Sequence, residues 1–291
     1  MLWLYLALIA YFINACVFII DKYLLAAPIP KYHAYAFGVS VLSLSSLVLI
    51  PFGVSWHGVG YFVLALSSGA TFFAGISFLY KAIKESDVSI AATQAGTLGA
   101  VFTYIFSVLI LKESLNLTNL FAFSFLLGGL FLLGKIQKHI FFTALLAGIS
   151  FGLSYVLLKL SFNMSDFING IFWTRVGFVG TAFATLASSH VREEIKFSYH
   201  NSHNRSKGLF VLNKFIAGIG FIILYFAIRL GDVSLVNALL GIQFMFTFIL
   251  AAVFKDKLPG IKENLSKPVL KFKLAGIVFI LIGLLTLFTA K

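Results

Sequence analysis

One arginine stands inside an otherwise apolar stretch. Arg175 falls about seven residues into the run 168–188, roughly 10 Å from its start at the 1.5 Å rise of a helix. A guanidinium at that depth in lipid is costly. By default such a group faces a water-filled space or a partner. Its planar fork matches a carboxylate or a phosphate. The bland alternative is a side chain that reaches back to the headgroups along its aliphatic stem.

Neutral polar groups accompany it. Asn14 lies about halfway along the first apolar run. Thr93, Gln94 and Thr97 share another run, with Thr93 and Thr97 on one helical face. Ser150 and Ser154 share a face in a third run, and Asn237 and Gln243 stand in a fourth. Amides and hydroxyls exchange hydrogen bonds with a polar solute without burying a charge. They also bridge helices in lipid. Packing is the favoured reading for Thr71, Ser150 and Ser154, because Gly148 and Gly152 make a small-residue face beside the serines. For Asn14, Gln94, Asn237 and Gln243 both readings stand.

The chemistry these residues offer is binding, not bond-making. There is no glycine loop of the nucleotide-binding kind, no Gly-x-Ser-x-Gly elbow and no His-Glu-x-x-His. The six histidines lie at loops or run ends, without the spacing of a metal site. No enzyme, metal or cofactor is expected. No carboxylate is expected in the middle of a run. Glu85, Asp87, Glu113, Asp232 and Asp256 fall at run ends, and Asp87 and Asp232 sit where helix N-caps belong.

The elements that must hold these residues follow from composition. Of 291 residues, 60% are hydrophobic and 11% charged, against about 25% charged in a soluble domain. So few charges cannot cover a water-facing surface, so most of the surface meets lipid. The net charge of +12 then reads as topology and anionic headgroups, and nucleic acid has no support. The single Cys16 lies in an apolar run, so no internal disulfide forms. The first run lacks a basic start and reads as a helix, not a cleaved signal; the sequence 13–16, Ile-Asn-Ala-Cys, is a poor lipoprotein box.

Ten runs are long enough to cross about 30 Å of hydrocarbon as helix: 2–20, 33–51, 60–80, 88–111, 117–134, 140–159, 168–188, 209–229, 233–253 and 272–289. The longest polar stretch, 190–207, is expected as a loop or a short interfacial helix. Assigning basic residues to alternate connections puts 17 of the 22 Lys and Arg on one side and 4 on the other, with Arg175 inside a run. The positive-inside rule makes the richer side cytoplasmic and places both termini outside, in a cell membrane.

The chain also repeats itself. Residues 80–89, Tyr-Lys-Ala-Ile-Lys-Glu-Ser-Asp-Val-Ser, return at 225–234 as Tyr-Phe-Ala-Ile-Arg-Leu-Gly-Asp-Val-Ser, identical at six of ten positions. Lys84 matches Arg229. Acidic signatures close the following runs, Leu-Lys-Glu-Ser-Leu at 111–115 and Phe-Lys-Asp-Lys-Leu at 254–258. A weaker match pairs 8–10 with 145–147 and Lys22 with Lys159. Duplication of a half-molecule follows, with repeats at 1–138 and 139–291. Five runs per half is an odd number, so the halves enter from opposite sides and form an inverted repeat. Tyr80 and Tyr225 fall at interface depth, where aromatic anchors belong.

With these features in view the chain resembles the drug/metabolite transporter superfamily, in its ten-helix EamA-type branch. The Tyr-x-Ala-Ile pieces at Tyr80 and Tyr225, the Asp-Val-Ser openings, the acidic ends at Glu113 and Asp256, and the sequence 172–175, Phe-Trp-Thr-Arg, carry the likeness. It departs where the branch often has proline: Ala100 and Gln243 stand there. Relatives are usually described with cytoplasmic termini, against the lysine count here. The resemblance implies an all-α polytopic membrane protein built from ten transmembrane helices in two inverted five-helix repeats. It further implies a central cavity lined by the first, third and fourth helices of each half. Arg175, Asn14, Gln94, Thr97, Asn237 and Gln243 are the candidate contacts for a small-molecule metabolite. Tyr80, Tyr225, Lys84 and Arg229 are the candidate gating residues. The function so implied is secondary transport by alternating access. A lipid-linked solute flippase and a non-transporting scaffold are the rivals. A scaffold predicts a packed centre with Asn14, Gln94 and Asn237 bonded to one another. Membrane lipids are the other expected contact, and oligomeric state is not addressed by these residues.

Overall fold

The structure, a computed structural model, describes residues 1–26, 31–86, 88–134, 136–254 and 267–289. Among these every regular element is helical. Backbone groups in hydrocarbon have no water to bond, and a helix satisfies its own. The elements are α1 (Leu2–Ala26), α2 (Tyr32–Leu42) continued by a 3₁₀ segment (Ser43–Phe52), α3 (Val59–Glu85) and α4 (Val88–Phe106), which ends in a wide turn (Ser107–Leu111). They continue with α5 (Leu117–Leu133), α6 (Phe141–Met164), α7 (Phe167–Ala184), α8 (Ser189–Asn201), α9 (Asn204–Leu230), α10 (Val233–Ala238), α11 (Leu240–Phe254) and α12 (Lys267–Thr289).

Nine helical stretches among the described residues are long and apolar enough to cross a membrane, so this is a multi-pass integral membrane protein. The expected run 117–134 forms the apolar helix α5, only 17 residues long. The 190–207 stretch is helical over most of its length: α8 is a polar helix of 13 residues, and α9 starts at Asn204.

The helices pack in a few extended pairs. α1 lies against α9, and α6 against α3; α4 lies against α6, and α11 against α1; α5 and α12 pack along each other. The α4–α6 seam is close because Gly148 and Gly152 sit on it. A Cβ on Gly152 would stand 2.8 Å from the backbone nitrogen of Thr103. Small residues let backbones approach in lipid, where dispersion and polar links replace the hydrophobic effect between helices. Ser68 and Ser154 exchange hydrogen bonds, each hydroxyl donating to the other residue's carbonyl at 2.9 and 2.8 Å. That is the packing role expected of Ser154, and Thr71 bonds back to Ser67 and Ser68 of its own helix.

Two helix ends are set by long-range or capping contacts. The Asp232 carboxylate accepts from the backbone of Ser234 and Leu235 at 2.8 and 3.1 Å and caps α10 as expected. Asp87 and Asp256 lie outside the described residues. Lys159, at the end of the run 140–159, is buried. Its ammonium donates to the carbonyls of Ile228, Arg229 and Gly231 at 3.0, 3.0 and 2.8 Å. A cation there occupies carbonyls that the end of α9 leaves without intrahelical partners.

Candidate functional site

A cavity of ≈ 500 Å³ lies among α1, α3, α4, α6, α9 and the α10–α11 pair, with the Ser43–Phe52 segment and α7 completing its wall. Its lining is mostly apolar, with polar groups at separated positions. Arg175, Asn14, Asn237 and Gln243 line it, as does Tyr80.

Arg175 enters from α7. Its guanidinium donates to the Tyr225 hydroxyl at 3.0 Å. The rings of Tyr225, Phe178, Phe72 and Phe221 stand 5.1, 5.6, 5.7 and 5.8 Å from its central carbon. Aromatic faces stabilise a cation without neutralising it. Among the described residues no carboxylate forms an ion pair with it.

At another part of the wall is a group that the sequence reading missed. Asp21 lies inside α1, is 6% exposed and lines the cavity. It stands past the expected run 2–20, about one turn before the end of α1, and so not in the middle of a span. The Lys214 ammonium lies 2.6 Å from both carboxylate oxygens, and the Tyr35 hydroxyl and Asn213 amide each donate at 2.6 Å. Lys214, within the run 209–229, is thus inside the bundle. These partners allow α1 to run on past residue 20, where its hydropathy pattern stops: three donor groups, making four hydrogen bonds, replace the water that a buried carboxylate would lose. A lone acidic residue near a run's edge, with a lysine inside another run, was the available signal. Asp21 and Lys214 cancel, so among the described charged groups lining the cavity Arg175 leaves one positive charge.

Asn14 of α1 is 7% exposed, and its Oδ1 has no hydrogen-bond partner. It faces Gly220 of α9, where an added Cβ would stand 2.7 Å from that oxygen. Asn237 lies in the last turn of α10 and donates to Thr103 Oγ1 at 2.5 Å. Beyond it the helix breaks at Leu239, with Ile242 bonding back only three residues to the Leu239 carbonyl at 2.9 Å. No proline is involved. Gln243 lies on α11, past the break.

The other candidates stand elsewhere. Gln94 and Thr97 are on the side of α4 toward α5, off the large cavity, beside a crevice of ≈ 40 Å³. The Gln94 carbonyl accepts from the Gln137 backbone at 3.1 Å, and Thr97 donates to the Thr93 carbonyl at 2.8 Å. Tyr80 and Tyr225 are buried, not interfacial anchors as expected. Tyr80 meets the Tyr35 ring edge-on at 4.8 Å, and Tyr225 holds Arg175. Each ring finds a polar partner or an aromatic edge inside, which the headgroup zone would otherwise supply. Lys84 and Arg229 are exposed, Arg229 lying 5.9 Å from the Phe167 ring. Asn14, Gln94 and Asn237 make no hydrogen bonds to one another among the described residues, in contrast to a packed scaffold centre.

No family model matches this sequence, and no curated protein matches it either. Among solved structures 27 chains match. One protein crystal structure superposes with a TM-score of 0.66 at 14% identity, covering 98% of this chain and 94% of the other. The fold is therefore shared along nearly the whole of both chains.

Proposed function

We propose that the protein is a secondary transporter, an exporter or exchanger of a small polar metabolite carrying one anionic group. It would work by alternating access between two inverted halves, 1–138 and 139–291, in the manner of an EamA-type ten-helix carrier. The observation that carries this reading is Arg175: a guanidinium in a ≈ 500 Å³ cavity, held by a phenol and aromatic faces, without an ion pair among the described residues. A site built this way keeps its charge for a ligand carboxylate or phosphate. Asn14, Asn237 and Gln243 would orient the polar remainder.

The repeat and the reciprocal packing support the two-half architecture. α1 against α9 mirrors α6 against α3 if the second half repeats the first, and α5 against α12 is its own mirror. In that count α5 is the fifth span, bringing the nine longer ones to ten, and α8 is an insertion between the seventh and eighth. Both termini would lie outside the cell membrane. Removing Lys159 and Lys214 from the loop charges leaves the asymmetry strong. Alternation would separate contacts near Lys84 and Arg229 at opposite faces. No step here requires bond-making chemistry, so the reading is of a carrier and not an enzyme.

The test is a thermal-shift screen of purified protein against amino acids, nucleosides, sugar phosphates, nucleotide sugars and short lipids. A ligand at a hundred times its dissociation constant stabilises the folded state by about 2.7 kcal/mol. A water-soluble anion that shifts the native protein and not Arg175→Ala supports the reading, as does its flux in liposomes. Equal response in both proteins overturns the role of Arg175.

One observation favours a flippase as the second reading. Val48 and Ile222 both line the cavity while remaining 67% and 54% exposed. The space therefore reaches the apolar outer surface between the Ser43–Phe52 segment and α9, as entry of a lipid chain requires. Stabilisation by lipids alone, with lipid retained through purification, would select that reading.

A further inference from the structure

His33, His190 and Glu194 come together at the end of the bundle where α2 begins. Their ligand atoms all lie within 4.8 Å of one another. His190 and Glu194 are one helical turn apart on α8, which puts them on one face. His33 reaches them from α2: its Nδ1 is 2.6 Å from Glu194 Oε2, across 161 positions of sequence. His190 Nε2 is 3.7 Å from Glu194 Oε1. No sequence spacing announces this trio, so the sequence reading expected no metal site.

The geometry points to a divalent transition-metal site formed by His33, His190 and Glu194, for an ion of the Zn²⁺ class, clamping α8 to the start of α2. Two imidazoles and a carboxylate suit zinc, cobalt or nickel, whereas calcium and magnesium ask for oxygen ligands. Bonds of about 2.0 Å in a tetrahedral site place ligand atoms roughly 3.3 Å apart. The trio needs only a small closure, and His190, with 72% of its side chain exposed, is free to supply it. Water completes the coordination on that open side. Glu194 is the anchored ligand, its side chain only 12% exposed. Partial burial pushes its carboxyl up, but the hydrogen bonds and charges of His33 and Lys31 outweigh this and hold it below the usual carboxylate value. Lys31 is the competitor: its ammonium lies 3.3 Å from Glu194 Oε1 and must yield to the metal.

This proposal is independent of the transport reading. The test uses the full-length protein, free of any histidine tag, titrated with Co²⁺ and followed by the visible absorption of the tetrahedral ion. One Co²⁺ per chain is expected, displaced by Zn²⁺. His190→Ala, His33→Ala and Glu194→Gln should each weaken binding by about tenfold or more, at least as much as the about 10–100-fold that loss of an outer-shell partner typically costs. His190→Ala is the safest variant for folding, because that side chain is exposed, and its unchanged melting temperature without metal shows an intact fold. Lys31→Ala should leave binding unchanged or tighten it, and His57→Ala should leave it unchanged. Native protein that binds Co²⁺ no more tightly than the His33→Ala/His190→Ala double variant overturns the site. So does weakened binding in Lys31→Ala or His57→Ala.

Discussion

Lys214 of α9 sits 2.6 Å from both carboxylate oxygens of Asp21 of α1, and both side chains are buried. This links α1 to α9 at the wall of the cavity. Breaking a buried pair by removing one partner leaves the other charge uncompensated, at a cost of about 3–5 kcal/mol. Asp21→Asn should therefore lower the melting temperature sharply. The double variant Asp21→Asn/Lys214→Met should recover part of the loss. A double variant no more stable than Asp21→Asn alone would show that the two charges do not depend on each other.

Tyr225 positions Arg175 through one hydrogen bond of 3.0 Å. Tyr225→Phe keeps the ring face at the guanidinium and removes the hydroxyl. A hydrogen bond of this kind is worth about 0.5–1.5 kcal/mol net. Any ligand found in the screen should bind Tyr225→Phe a few-fold more weakly, and Arg175→Ala far more weakly. Titration calorimetry of both variants checks the order.

The seam between α4 and α6 admits no side chain at Gly152, where a Cβ would meet Phe102 and the Thr103 nitrogen at 2.8 Å. Thr103 in turn holds Asn237. Gly152→Val should force the helices apart, at a cost of about 1–3 kcal/mol for overpacking, and disturb Asn237. A lower melting temperature with weakened ligand binding is expected, and an unchanged melting temperature would contradict the close approach.

Lys159→Met removes three hydrogen bonds from the end of α9. Hydrogen bonds to a charged group contribute about 1.5–3 kcal/mol each before the burial of the charge is set against them. Amide exchange around the α9–α10 junction should quicken in the variant while exchange in α5 and α12 stays as it was.

Acid should loosen the start of α7. Asp166 caps that helix, accepting from the Asn169 backbone and side chain at 2.9 and 2.6 Å. Burial is the largest single influence and raises its carboxyl, but the Asn169 and neighbouring backbone donors together outweigh it and pull it below the usual value. A depressed carboxylate contributes stability above its unfolded pKa of about 3.9, and loses it as pH falls through the lower folded value. Asn169 also holds Ser55 and the Gly53 carbonyl. Exchange at 53–58 should therefore rise in that acid range in the native protein, and already be raised near neutrality in Asp166→Ala.

What the residues alone determined was class and periodicity. Long apolar runs with 11% charge can only be helices in lipid, because backbone groups there must bond within their own segment. The Asp232 cap and the glycine face at Gly148 and Gly152 were legible for the same reason: each acts through neighbours one or two turns away. Inward and outward faces were not legible in a chain apolar on every side, since lipid and protein interior attract the same side chains. Tertiary packing turned Tyr80 and Tyr225 inward, placed Gln94 and Thr97 toward α5, and left Arg175 in the cavity. It also joined residues far apart in sequence: Asp21 with Lys214, and His33 with His190 and Glu194. Those pairs exist because a buried charge or donor must find a partner wherever the fold offers one, and no local pattern records where that is.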